Sequence, residues 1–209
     1  MIQPRLLKKK LIAPFFQPLQ GVWYRGINLR YLATALQFAH SSAVSTRFHH
    51  ATQFPLSYPL LYLAENPAVA LLEVNAHFSP PGSSLAVPNP HGSWAVLNVS
   101  MQLKTVLDLT DAKVECLLQT NLQELTGDWQ GYDLRSDPSA SVKRNAQAAP
   151  TQELGLALYR IPGLLGFLTV SAKAPARKNL VIFPDKIKTS ADGQVEFTDP
   201  STGIVHQIP

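Results

Sequence analysis

The stretch YPLLYLAENPAVALLEV, residues 58–74, decides the fold. Its first half, Leu60-Leu61-Tyr62-Leu63-Ala64, is an apolar run of strand length. Glu65-Asn66-Pro67 ends the run. Asn66 is a strong N-cap residue, and Pro67 stands at the first helical position, where its missing N–H costs nothing. Residues 68–74 then predict a helix that is apolar all round except for Glu73, and a helix with so little polar surface is expected to be buried. Glu73 is therefore a carboxylate that needs a partner in a poor solvent for charge. Taken alone it reads as well as a structural residue, paired with a core arginine to fix packing, as it does a chemical one.

Upstream, residues 20–26 (QGVWYRG) read as a strand ending at Gly26, which leaves Arg25 where backbone can approach a ligand closely. Residues 31–40 (YLATALQFAH) carry an amphipathic helical pattern, residues 45–50 (STRFHH) are polar and irregular, and residues 1–14 read as an exposed arm. Downstream, the Pro/Gly/Ser-rich residues 79–90 are a loop, and 94–99 and 106–109 are two short strands. Thr110 or Asp111 caps a helix running to about Gln119. Residues 128–150 form a long loop of the kind that carries function. A helix follows to Tyr159, before Pro162. Then come a strand over 166–170 leading to Ser171, a basic loop over 173–178, a strand over 179–183, and a C-terminal hairpin within 190–209 around Asp199-Pro200. Many short strands with a few helices predict one α+β domain over 1–209, with a mixed, largely antiparallel sheet and flanking helices.

Composition narrows the function classes. A chain of 209 residues that is 45% hydrophobic affords a core and excludes global disorder. It has no apolar run of transmembrane length and no convincing signal peptide at its N-terminus, so no membrane partner is expected. The single cysteine, Cys116, fits a reducing cytoplasm. The formal charge of +4 gathers at residues 5–10 and 173–188, which read first as solvated surface and second as a site for an anionic partner. No aromatic-interleaved basic stripe predicts direct nucleic-acid binding. His49-His50 has no further His/Cys cluster, so no metal is expected, and no Gly-x-Gly-x-x-Gly follows a strand to suggest a Rossmann dinucleotide site.

Arg25, Arg47, Glu73 and Ser171 recur beside apolar strands. In order, YRG (24–26), STRFHH (45–50), PLLYLAENPAVALLE (59–73), PTQELG (150–155) and GFLTVSAKAPARKNLVIF (166–183) resemble the RES-domain family, named for Arg, Glu and Ser, the toxins of bacterial toxin–antitoxin pairs. The resemblance covers about residues 21–183. It implies an ADP-ribosyltransferase-like fold, NAD as substrate, and a cognate Xre-type helix-turn-helix antitoxin on a separate chain. Arg25 corresponds to the first family arginine, Glu73 to the glutamate, Ser171 to the serine, Tyr62 to the tyrosine of Tyr-x-Ala, and Asn179 to the asparagine opening the last core strand. Arg47 corresponds to the arginine of a Gly-Arg-Trp/Phe-Asn motif, with Thr46 in place of glycine and His49 where asparagine is common.

The chemistry implied is cleavage of the nicotinamide–ribose bond through an oxocarbenium-like state. Glu73 would stabilise the charge on the sugar, Arg25 and Arg47 would hold the pyrophosphate by their planar forks, and Tyr62 would stack on nicotinamide. Ser171 would hydrogen-bond the carboxylate, the ribose or the amide. The bland alternatives are a core tyrosine, a strand-end serine that caps a turn, and an asparagine that turns the chain. The resemblance predicts NAD hydrolysis or phosphorolysis. Transfer of ADP-ribose to a macromolecule is the enzymatic rival, and a non-catalytic binding protein on the same fold is the rival from another class.

Overall fold

A computed structural model of the chain describes residues 12–51, 57–75, 77–78, 87–88, 92–130, 132, 148–188 and 191–208. Its spine is strand β5 (Trp94–Asp108), joined along nearly its whole length to β1 (Phe16–Asn28). From Leu97 to Leu103 every second side chain of β5 is buried and the intervening ones are exposed, the period of a half-covered strand. The two short strands expected at 94–99 and 106–109 are thus one: Ser100, Gln102 and Lys104, which interrupt the hydrophobicity, are only its outward face. β1 likewise exceeds its expected bounds at both ends, and a register shift between Gln17 and Leu19 accommodates Pro18, which has no N–H for the ladder.

β2 (Leu61–Ala64), β6 (Gly166–Val170), β7 (Lys178–Ile182), β8 (Gly193–Thr198) and β9 (Val205–Ile208) complete a seven-stranded sheet in the order β1-β2-β7-β6-β5-β8-β9. Because β1 pairs with both β2 and β5, five of these strands close on themselves like a barrel and the β8–β9 hairpin extends from β5. The pairing of β5 with β6 is parallel and the other pairings in this sheet are antiparallel. The expected mixed, largely antiparallel α+β arrangement is therefore present. In a separate short pair, β3 (His77–Phe78) just precedes the region read as loop and β4 (Val87–Pro88) stands within it; most of that region lies outside the described residues.

β6 and β7 are buried along almost their full length because both faces are covered. One face carries Leu61, Leu63, Val99, Leu168, Leu180 and Ile182 in a core inside the closed strands. The other carries Phe48, Tyr58, Phe167, Val181 and Phe183 under the helices. There Tyr58 stacks on Tyr159 at 4.4 Å and Phe48 meets Phe167 edge-on at 5.0 Å. Ile12 is 1% exposed and belongs to this second core, so the exposed arm expected over 1–14 does not include it; residues 1–11 lie outside the described ones.

Among the described residues the α-helices are α1 (Pro67–Glu73), α2 (Ala112–Leu118), α3 (Leu122–Thr126), α4 (Pro150–Tyr159) and α5 (Pro184–Lys188). Asp111 caps α2 by accepting from the N–H of Lys113 at 2.8 Å, as expected. The helix expected over 31–40 is instead two 3-10 segments, Leu29–Thr34 and Ala39–Ala43. Asn28 accepts from the N–H of Arg30, and the hydroxyls of Thr34 and Ser41 donate to Tyr31 O and Phe38 O, local bonds that compete with an α-helical ladder. No helix among the described residues is long and apolar enough to cross a membrane.

Candidate active site

A cleft of about 740 Å³ lies where β1 and β2 meet at a single register, Tyr24 opposite Ala64. Arg25, Arg47, Tyr62, Glu73 and Asn179 all line it, although the sequence scatters them over more than 150 residues. Ser171 is not on its wall: at 0% exposure it sits directly behind Glu73.

Glu73 ends α1. Asn66 starts that helix by accepting from the N–H of Val69 at 3.0 Å, with Pro67 at the first position, as the sequence predicts. The helix is not buried all round, however. Val69 and Ala70 face the sheet, Pro67 and Ala68 are exposed, and Leu71, Leu72 and Glu73 are half-buried. Two turns lying on the rim of a sheet can cover only one side, whatever their composition. That side approaches β1 very closely: a Cβ on Gly26 would stand 2.5 Å from Ala70 O. Gly26 is thus a packing site inside β1 and not its end.

The Glu73 carboxylate accepts two hydrogen bonds on Oε1, from Ser171 Oγ at 2.6 Å and Asn179 Nδ2 at 2.7 Å. Ser171 Oγ itself accepts from the backbone N–H groups of Lys173 at 3.2 Å and Ala174 at 3.0 Å. With both lone pairs taken, its proton is directed at Glu73. A carboxylate only accepts, so the amide of Asn179 turns its nitrogen to Glu73 and its oxygen away. Among the described residues Glu73 Oε2 has no hydrogen bond and no arginine pairs with Glu73, so the alternative of a core ion pair does not hold.

Arg25 alternates along β1 with Trp23 and Ile27, which pack into the inner core, and it reaches the cleft from that side. Its Nη1 is buried without a hydrogen-bond partner among the described residues, and burial pushes its pKa down to about 10.

Arg47 stands on a tight turn closed by the N–H of Thr46 on His49 O at 2.7 Å. The PTQELG element of α4 holds this turn. Gln152 Nε2 donates to Thr46 O at 3.0 Å and His49 O at 3.3 Å, its oxygen accepts from the Ala149 N–H, and a Cβ on Gly155 would stand 1.9 Å from Phe48 O. Both departures from the family motif fit here. Thr46 has no positive φ to call for glycine, and its hydroxyl meets that of Tyr62 at 2.9 Å. His49 is a core residue, 0% exposed and edge-on to Tyr58 at 4.8 Å, and burial pushes its pKa down. Arg47 Nη1 donates to Leu125 O at 3.2 Å and Gly127 O at 2.6 Å, tying the turn to the end of α3. Burial lowers the Arg47 pKa, while Glu73, Tyr62 and Asp128 oppose that shift. The Tyr62 ring lines the cleft and burial pushes its hydroxyl up to about 12.

Three parts of the site receive no residue-level role from sequence: the wall at Thr126, Asp128 and Trp129, of which only the loop from 128 onward is expected to carry function, the clamp made by Gln152 and Gly155, which appears only within the PTQELG signature, and Thr169 on the cleft floor. Thr169 carries a faint signal, standing in the strand that leads to Ser171, two residues before it. Most of the long loop over 128–150 lies outside the described residues.

Fold and site define a mixed α+β protein with a serine- and asparagine-held glutamate in one cleft with an arginine whose Nη1 is buried. The RES domain family model matches residues 22–199, past the strand at 179–183 and through β8, and the chain belongs to the RES-domain family. That family is associated with NAD-related toxin function. Among curated proteins, none matches the chain.

Proposed function

We propose that this protein is an enzyme that cleaves the nicotinamide–ribose bond of NAD, on a fold of the ADP-ribosyltransferase kind. We read it as the toxin half of a pair whose antitoxin is a separate Xre-type helix-turn-helix protein. The observation that carries this reading is the Glu73 carboxylate, fixed on Oε1 by Ser171 and Asn179 with no hydrogen bond to Oε2 among the described residues, in the same cleft as Arg25, whose buried Nη1 has no partner among those residues.

Nicotinamide leaves with the electron pair of the C–N bond and becomes neutral, while positive charge develops on the ribose. A carboxylate whose orientation is set beforehand stabilises that charge without reorganising. Glu73 fills this role, its free oxygen accepting from the ribose. Water or phosphate then adds to the anomeric carbon and releases a proton. Ser171, buried behind the carboxylate, acts by positioning it. Arg25 supplies the fork for the anionic pyrophosphate, and its uncompensated burial suits a site completed by an anion. Arg47 gives Nη1 to the far wall and keeps its other nitrogens for phosphate. Tyr62 offers its ring to nicotinamide while its hydroxyl holds Thr46.

The test is to incubate the purified protein with NAD, with and without phosphate, and separate the products. ADP-ribose identifies hydrolysis, a phosphorylated ADP-ribose identifies phosphorolysis, and label retained on protein or nucleic acid identifies transfer. NAD left intact under all conditions refutes the reading.

A further inference from the structure

Three buried polar atoms of residues lining the cleft have no hydrogen-bond partner among the described residues: Arg25 Nη1, Thr169 Oγ1 and Asn179 Oδ1. The arginine answers to a phosphate in the reading above. The other two form a unit of their own. Thr169 on β6 and Asn179 on β7 are directly paired across the two strands, and the next residue in the same row is Ala64, whose methyl offers no polar group. Thr169 is 2% exposed and Asn179 8%. Bulk water does not reach these atoms, and unpaired buried polar groups are rare enough to require an explanation.

Their chemistry is defined. Glu73 takes one N–H of the Asn179 amide at 2.7 Å and so fixes which way the amide faces, and the Asn179 atom left without a partner among the described residues is the acceptor Oδ1. Thr169 presents a hydroxyl that donates or accepts. Directly opposed residues on adjacent strands hold their Cβ atoms about 4.5–5.5 Å apart. An N–H donor beside a carbonyl acceptor, as in a planar primary carboxamide, satisfies both at once. Its nitrogen donates to Asn179 Oδ1 and its oxygen accepts from Thr169.

We propose that Thr169 and Asn179 form a subsite that reads a primary carboxamide, which in the reaction above is the nicotinamide group. The inference rests on that reading for the identity of the ligand. The link through Asn179 to Glu73 places the subsite beside the carboxylate that serves the breaking bond. A carboxylate in place of the amide would set oxygen against Asn179 Oδ1 and negative charge near Glu73, so the same pair rejects nicotinic acid. Adenine also carries an adjacent donor and acceptor, and the test separates the two ends of the dinucleotide.

The test measures binding of nicotinamide, nicotinic acid and adenosine to the wild-type protein, Thr169→Val and Thr169→Ser, by calorimetry or ligand-observed NMR, with a melting curve for each protein. The wild type is expected to prefer nicotinamide over nicotinic acid by at least about tenfold. Thr169→Val is expected to weaken nicotinamide about tenfold with little change for nicotinic acid, and Thr169→Ser to restore the preference. The valine protein should melt no lower than wild type, since it loses a hydroxyl without a partner. An equal affinity for the two pyridines, a preference unaltered in Thr169→Val, or no binding of nicotinamide overturns the subsite. Dependence on Thr169 for adenosine instead of nicotinamide overturns it in favour of the adenine end. A Thr169-dependent nicotinamide preference in a protein that leaves NAD intact keeps the subsite and refutes the proposed reaction.

Discussion

Glu73→Gln isolates the charge of the carboxylate from its shape. Both hydrogen bonds to Glu73 fall on one oxygen, Ser171 at 2.6 Å and Asn179 at 2.7 Å. A glutamine can keep its oxygen there and place its nitrogen at the uncommitted position. The two bonds then change from charge-assisted to neutral, a loss of about 1 kcal/mol each. Removing a charge from a half-buried site offsets much of that, leaving a net change of about 1 kcal/mol, or about 2–4 °C in Tm for a chain of this size. No arginine is orphaned, because among the described residues none pairs with Glu73. Turnover has no such compensation: loss of a preorganised charge from the transition state is expected to lower kcat about 10²–10³-fold, or about 2.7–4 kcal/mol. The assay is NAD turnover and thermal melting on one preparation. Turnover within about threefold of wild type at an unchanged Tm refutes the electrostatic role. A Tm lowered by more than about 10 °C, with activity falling only as the folded fraction falls, refutes the packing argument as well.

Ser171→Ala leaves the cleft wall intact but removes the proton directed at Glu73, so kcat should fall by about tenfold or more with KM little changed; a rise in KM alone would place Ser171 against substrate instead. Arg25→Met should weaken ADP-ribose binding while raising Tm, because it removes a desolvated charge whose buried Nη1 has no partner among the described residues; a lower Tm, or unaltered affinity measured by titration, contradicts this. Gly155→Ala puts a methyl on Phe48 O and should lower stability by roughly 1–3 kcal/mol and displace Arg47, read as a lower Tm and a raised KM for NAD. At Asp108, burial acts to raise the pKa, but the Thr110 hydroxyl and then Lys178, whose Nζ stands 2.9 Å from Oδ2, hold it below the usual carboxylate range. The carboxylate therefore contributes stability above the unfolded-state value that is lost as pH falls through the folded-state one. Wild-type Tm should drop more steeply than that of Asp108→Asn on acidification below about pH 4.

What the sequence shows plainly is what local pattern encodes. The Asn66-Pro67 start of α1, the Asp111 cap and the strand over 166–170 rest on side chains within four residues of one another, and all three are present. Errors arise where the outcome depends on what lies opposite. The alternation in β5 is hidden because its outward face carries Ser100, Gln102 and Lys104, which read as a break until the partner strands on both sides are known. Burial of α1 is overestimated because an apolar surface is buried only where a neighbour arrives. Here the neighbour is the backbone beside Gly26, on one side only.

The turn bearing Arg47 makes the same point for the candidate site. Its motif departs from the family pattern at Thr46 and His49, which on sequence alone disturbs the position of the arginine. Yet the contacts that fix the turn are to its backbone, at Thr46 O, Phe48 O and His49 O, and come from Gln152 and Gly155 more than 100 residues later. A clamp that grips carbonyl groups is indifferent to the side chains between them. Thr46 is then free to meet the Tyr62 hydroxyl and His49 to fill the space beside Tyr58, while Arg47 keeps its place on the cleft. The element that sequence offered only as a family signature, PTQELG, is thus what allows another part of that signature to vary.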